Sequence, residues 1–107
     1  MIFLYIKIMD LNYKEEILLA LESADISKAS SVEGIDLDNA LTRDLPLFKG
    51  FFKNEADKAE EVLIINALVE NKEKIDDFVH LLKESGTDVE GKGILRVLAW
   101  PVEVILN

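Results

Sequence analysis

Val62-Leu63-Ile64-Ile65-Asn66-Ala67-Leu68-Val69 is the clearest buried strand in the sequence. It is a short, almost unbroken run of apolar and β-branched residues, bounded on both sides by polar ones. Asn71, two residues on, reads as the cap of a helix whose Ile75, Phe78, Val79 and Leu82 repeat at i, i+3, i+4 and i+7. Gly86 suits its C-terminal stop. After the Glu90-Gly91-Lys92-Gly93 turn, Ile94 to Leu106 is apolar and β-rich but interrupted at Pro101. Proline has no ladder donor, so a kink, a bulge or an edge position is expected there.

Upstream, Ile2, Leu4, Ile6 and Ile8 alternate with Phe3, Tyr5, Lys7 and Met9, a first strand with two largely apolar faces. Asn12 and Glu15 have capping-box spacing, and Ile17, Leu18, Leu21 and Ala24 supply the stripe of a first helix. Ile26 to Glu33, serine-rich and closing on Gly34, reads as a weaker second strand. Strand-helix-strand occurs twice. The order βαββαβ predicts a single α+β domain over residues 1–107, of the ferredoxin-like class: a four-stranded antiparallel sheet with both helices on one face.

Two short helices cover one face of such a sheet. Yet Phe3 and Tyr5 stand opposite Leu4 and Ile6, Leu63 and Ile65 opposite Val62 and Ile64, and Leu95 and Val97 opposite Ile94 and Leu98. A second apolar face is therefore expected, larger than soluble monomers usually show. Self-association would cover it; the alternative is that the long segment between the second and third strands folds back over it.

That segment, Gly34 to Glu61, runs about 28 residues, longer than compact domains usually leave without structure. It holds Phe48, Phe51 and Phe52, three of the chain's five phenylalanines, together with Pro46 and the basic Arg43, Lys49, Lys53 and Lys58. Disordered linkers are poor in aromatics. Arg43, Phe48, Lys49, Phe51, Phe52 and Lys53 read as a protein-docking surface, where arginine and aromatics anchor binding. A short helix through Ala56-Asp57-Lys58-Ala59-Glu60, packing the phenylalanines onto the same subunit, is the competing reading.

Charge narrows the function classes. Twelve basic against 21 acidic residues leave a formal charge of −9, which repels polyanions and argues against nucleic acid or an anionic membrane as partner. There is no cysteine, hence no disulfide framework and no thiolate chemistry. The apolar N-terminal run carries neither a basic leader nor a cleavage site and is too short to span a bilayer, so a cytoplasmic location is expected. His80 is the single histidine and falls opposite the apolar stripe of its helix, as an exposed residue would. No transition-metal set and no catalytic constellation emerges around it. Asp36 and Asp38 read either as ligands of a divalent cation or as two solvated carboxylates. Gly91-Lys92-Gly93 reads as a phosphate-binding turn or as an ordinary solvated one, and Gly34 as a close-approach position or a turn with positive φ.

The element order, the excursion after Ser30-Ser31-Val32-Glu33-Gly34, the Glu90–Gly93 turn and Pro101-Val102-Glu103 together resemble the nitrogen regulatory P-II proteins. The resemblance spans nearly the whole chain by pattern and about a dozen residues by identity. It implies a homotrimer that is not an enzyme. Clefts between subunits would bind a small effector, an adenine nucleotide, and residues 34–61 would serve as the mobile T-loop that controls a partner protein. It points to Gly34, Gly91, Lys92, Gly93 and Arg96 as the cleft residues, with Lys92 and Arg96 competing for the family's phosphate-binding lysine position. Within the loop the chain departs from the pattern in two respects. Its two tyrosines, Tyr5 and Tyr13, both lie outside the loop, leaving no acceptor for uridylylation. Ile35-Asp36-Leu37-Asp38-Asn39 holds no glutamine for metal and 2-oxoglutarate. Two other readings stay open: a small enzyme of the dimeric α+β barrel type, and a structural oligomer without a ligand.

Overall fold

β-branched and leucine side chains at every second position make β1 (Ile2–Ile8) a strand that can bury two faces. In the computed structural model, which describes residues 1–37, 61–87, 90–91 and 93–106, it is the inner strand between β3 and β4. A 3-10 turn (Leu11–Tyr13) leads into α1 (Lys14–Ser23). Then come β2 (Ala29–Ile35), β3 (Glu61–Val69), α2 (Lys72–Glu84) and β4 (Leu95–Pro101). The strand order is β2-β3-β1-β4 and every neighbouring pair is antiparallel. This is the ferredoxin-like α+β arrangement.

Register separates the two faces. Ile6 stands between Ile65 and Val97, and Ile8 between Leu63 and Leu95. These residues point toward the helices and meet Ile17, Ala20 and Leu21 of α1 and Ile75, Phe78 and Leu82 of α2 in one core. Leu4, Ile6, Ile8, Ile17 and Phe78 have no exposed surface. Among the described residues the one buried polar side chain is Thr87, whose hydroxyl lies 3.1 Å from Ser85 Oγ just beyond α2.

The helix ends show what local sequence chose. Asn71 Oδ1 accepts from the Lys74 N–H at 3.2 Å and starts α2 as predicted. Gly86, at φ +85°, ends it: its N–H donates to Lys83 O and that of Thr87 to Leu82 O, the 5→2 and 6→1 pattern of a Schellman close. The Asn12/Glu15 capping box does not form. Asp10 caps instead, accepting from the Asn12 N–H at 3.0 Å, because a 3-10 turn sits between β1 and α1 and places Asn12 inside it.

Two boundaries also move. The second strand begins at Ala29, not Ile26. Asp25, at φ +59°, closes α1 with the same two-bond pattern, and Ile26 is spent on the core before the strand starts. The last strand stops at Pro101 instead of running to Leu106. β4 is an edge strand, as the proline predicted. Val102 N–H bonds Met1 O, so the antiparallel alternation turns the Pro101 nitrogen away from β1 to the free edge, where no donor is needed.

Candidate functional site

The face of the sheet away from the helices carries a second apolar set. Phe3 lies between Leu68 and Trp100, and Tyr5 between Asn66 and Leu98. The Phe3 and Trp100 rings pack with centroids 5.0 Å apart at 43°, a tilted pair of the kind aromatic quadrupoles favour. Trp100 and Leu98 are each 47% exposed, and Val32 of β2 is 56% exposed. Lys7, between Ile64 and Arg96, makes the other end of this face polar. Asp36, just past β2, sits 3.7 Å from the Lys7 ammonium, and both side chains are largely withdrawn from solvent. The face thus grades from aromatic at the Met1 end to charged at the Gly34 end.

Asp36 is therefore engaged with an ammonium, while its expected companion Asp38 lies outside the described residues. No group of three or more His, Cys, Asp or Glu suited to a metal occurs among those described. His80 is exposed on α2, its Nε2 2.9 Å from Glu84 Oε1 one turn on, which is the surface position its place on the helix predicted.

The predicted cleft residues occupy one end of the sheet but opposite edges. Gly34 is in β2, across from Val62. It has extended backbone, so its turn reading is wrong. A Cβ there would meet the Val62 side chain at 3.4 Å, an ordinary contact. Gly91 and Gly93 sit before β4 with φ of +74° and +66°, and Glu90 beside them pairs with Lys83 of α2 at 3.8 Å. Arg96 is exposed on the open face. Lys92 lies outside the described residues, as do Arg43, Phe48, Lys49, Phe51, Phe52 and Lys53. Three strand spacings, ~14 Å, separate β2 from β4. Within one chain Gly34 and the glycine turn do not meet.

Sequence reasoning overlooked a groove along β2. One depression, ≈ 310 Å³, is lined by Leu18, Leu21 and Glu22 of α1, by Ala29 to Ser31, and by Ile65. A second, ≈ 240 Å³, lies at the other end of the strand among Leu11, Lys14, Glu33 to Ile35 and Glu61 to Leu63. The first arises because β2 presents small residues, Ala29 and Ser31, toward the helices, so that Ile65 is buried mainly by its other neighbours. The serine-rich composition was the signal; it says that packing is missing without saying where.

No family model matches the sequence, and no curated protein does. No helix among the described residues is long and apolar enough to cross a membrane.

Proposed function

We propose that the chain is a self-associating, P-II-like regulatory module. Copies close around their open sheet faces, an adenine nucleotide binds in the cleft between neighbours, and the segment over residues 34–61 reports its presence to a partner protein. The observation that carries this reading is the placement of Gly34 and of Gly91 and Gly93 at the same end of the sheet but on opposite edges. A ring of copies brings one subunit's β2 edge toward its neighbour's β4 edge. Such a ring joins the two glycine elements and Arg96 in one cleft, and a single chain cannot. The apolar open face around Phe3, Leu98 and Trp100 supports self-association independently, since oligomers commonly bury such patches.

Effector binding to one arrangement of the 34–61 segment and not another would shift its population, and that differential affinity is the whole of the signal. The test is thermal unfolding with ATP, ADP or AMP, alone and with 2-oxoglutarate, alongside light scattering. A nucleotide at a hundred times its dissociation constant adds about 2.7 kcal/mol, a rise of roughly 10 °C or more for a domain this size. Arg96→Ala should abolish the shift, with light scattering showing whether the oligomer persists in the variant. An oligomer that no adenine nucleotide stabilises at millimolar concentration would refute the sensor reading, and a monomer would refute the cleft itself.

A further inference from the structure

We propose that the free edge of β2, together with the groove between it and α1, binds an extended peptide of alternating basic and apolar residues as an added strand. This goes beyond effector sensing and stands on the single chain; the second depression shares Gly34 with the cleft proposed above, so a closed ring and a bound peptide compete for this edge. Leu68 N–H bonds Lys28 O at 3.0 Å, which sets the alternation between β2 and β3. The backbone groups of Ala29, Ser31, Glu33 and Ile35 consequently turn outward, and β2 pairs with β3 alone among the described residues.

Natural edges are blunted by proline, lysine or a bulge. β4 has Pro101 and Arg96; residues 29–35 have no proline and no basic residue, Glu33 being their one charge, and their register with β3 is unbroken. Beside that bare edge the two depressions lie end to end, one against Ala29 to Ser31 and the other against Glu33 to Ile35. An added strand would place alternate side chains over them. Its two apolar anchors fall four residues apart, ~13 Å at strand rise. This is the helix-and-edge geometry that strand-addition modules use, with main-chain bonds giving affinity and side-chain depressions giving selectivity.

Charge selects the class of peptide. Glu22, Glu33 and Glu61 line the groove without an ion pair among the described residues, against the single Lys14. A basic residue between the two anchors would face Glu33. The apolar segment Val102–Leu106, exposed beyond a half-buried Val102, carries an acid, Glu103. Its five residues span ~17 Å, short of the ~19 Å of four strand spacings from β4 to the far side of its own β2.

The test is fluorescence anisotropy of the full chain with labelled Lys-Val-Thr-Lys-Thr-Val-Lys. Saturable binding that weakens as salt rises is expected. Glu33→Lys should weaken it about fivefold, and Ser31→Pro, which removes an outward donor without touching the β3 ladder, about tenfold or more. Should Ser31→Pro not fold, N-methylation of the peptide's alternate amides makes the same deletion from the other side. Equal binding of the peptide with glutamate in place of lysine overturns the proposal. So does insensitivity to both backbone deletions. Tighter binding of a peptide copying Val102–Leu106 overturns it too, because the groove would then serve a second copy of this chain.

Discussion

Asp25 shows how one backbone angle is stabilised by distant chemistry. At φ +59° it occupies the left-handed position that closes α1, where an L-residue ordinarily pays roughly 1–2 kcal/mol. Lys74 of α2 offsets part of that. Its ammonium reaches both the Asp25 carbonyl, at 3.2 Å, and the carboxylate, at 3.3 Å. The lysine also lies 3.9 Å from Glu70, so three groups join the end of α1 to the start of α2. Asp25→Ala gives up the ion pair and keeps the strained angle; it should cost about 0.5–1 kcal/mol in urea denaturation. Asp25→Gly gives up the ion pair and relieves the angle, and should fall within about 0.5 kcal/mol of the parent. Equal losses in the two variants would show that the angle carries no strain.

At the scale of elements, α1 and α2 are held differently. α2 has a side-chain cap at Asn71, glutamate in its first turn, lysine in its last and a Schellman close, each matched to the helix ends. α1 shares the Schellman close and carries Glu15 and Glu16 in its first turn, but it has no side-chain cap of its own: Tyr13 precedes it, and Asp10 serves the 3-10 turn before it. Its Leu18 and Leu19 remain exposed, so packing through Ile17, Ala20 and Leu21 is what secures it. For α2, removing the cap and removing the core contact can be compared directly. Asn71→Ala should cost about 1 kcal/mol, and Phe78→Ala, which empties a side chain with no exposed surface, about 3–5 kcal/mol. Similar midpoint shifts for the two would mean that capping outweighs packing in this helix.

For the whole molecule, the open sheet face and the net charge of −9 oppose each other. In the proposed assembly, burying Leu98 and Trp100 between copies would favour association, while like charges would resist it. Association should therefore strengthen as salt screens the repulsion. Trp100 is the single tryptophan and stands on that face, so it reports the event directly. Its emission should move to shorter wavelength as protein concentration rises, in step with the mass from sedimentation. Trp100→Lys should yield a folded monomer, losing about 0.5–1.5 kcal/mol for the Phe3 ring contact. An oligomer that survives this substitution would place the interface elsewhere.

Much of the fold could be read from residues near each other in the chain. The β3 run, the α2 stripe with Asn71 and Gly86 at its ends, and the apolar character of both sheet faces are local patterns, and each appears where the alternation or helical period put it. Asp10 in place of Asn12, and Ala29 in place of Ile26, were missed because a 3-10 turn and a left-handed aspartate leave no periodic trace; they follow from how α1 must settle on the sheet. The groove beside β2, the outward-facing nitrogen of Pro101 and the separation of Gly34 from the Gly91–Gly93 turn depend on strand order and register. Those are set by long-range pairing and by which face the helices bury, and a strand's own residues are silent about the neighbours it will have.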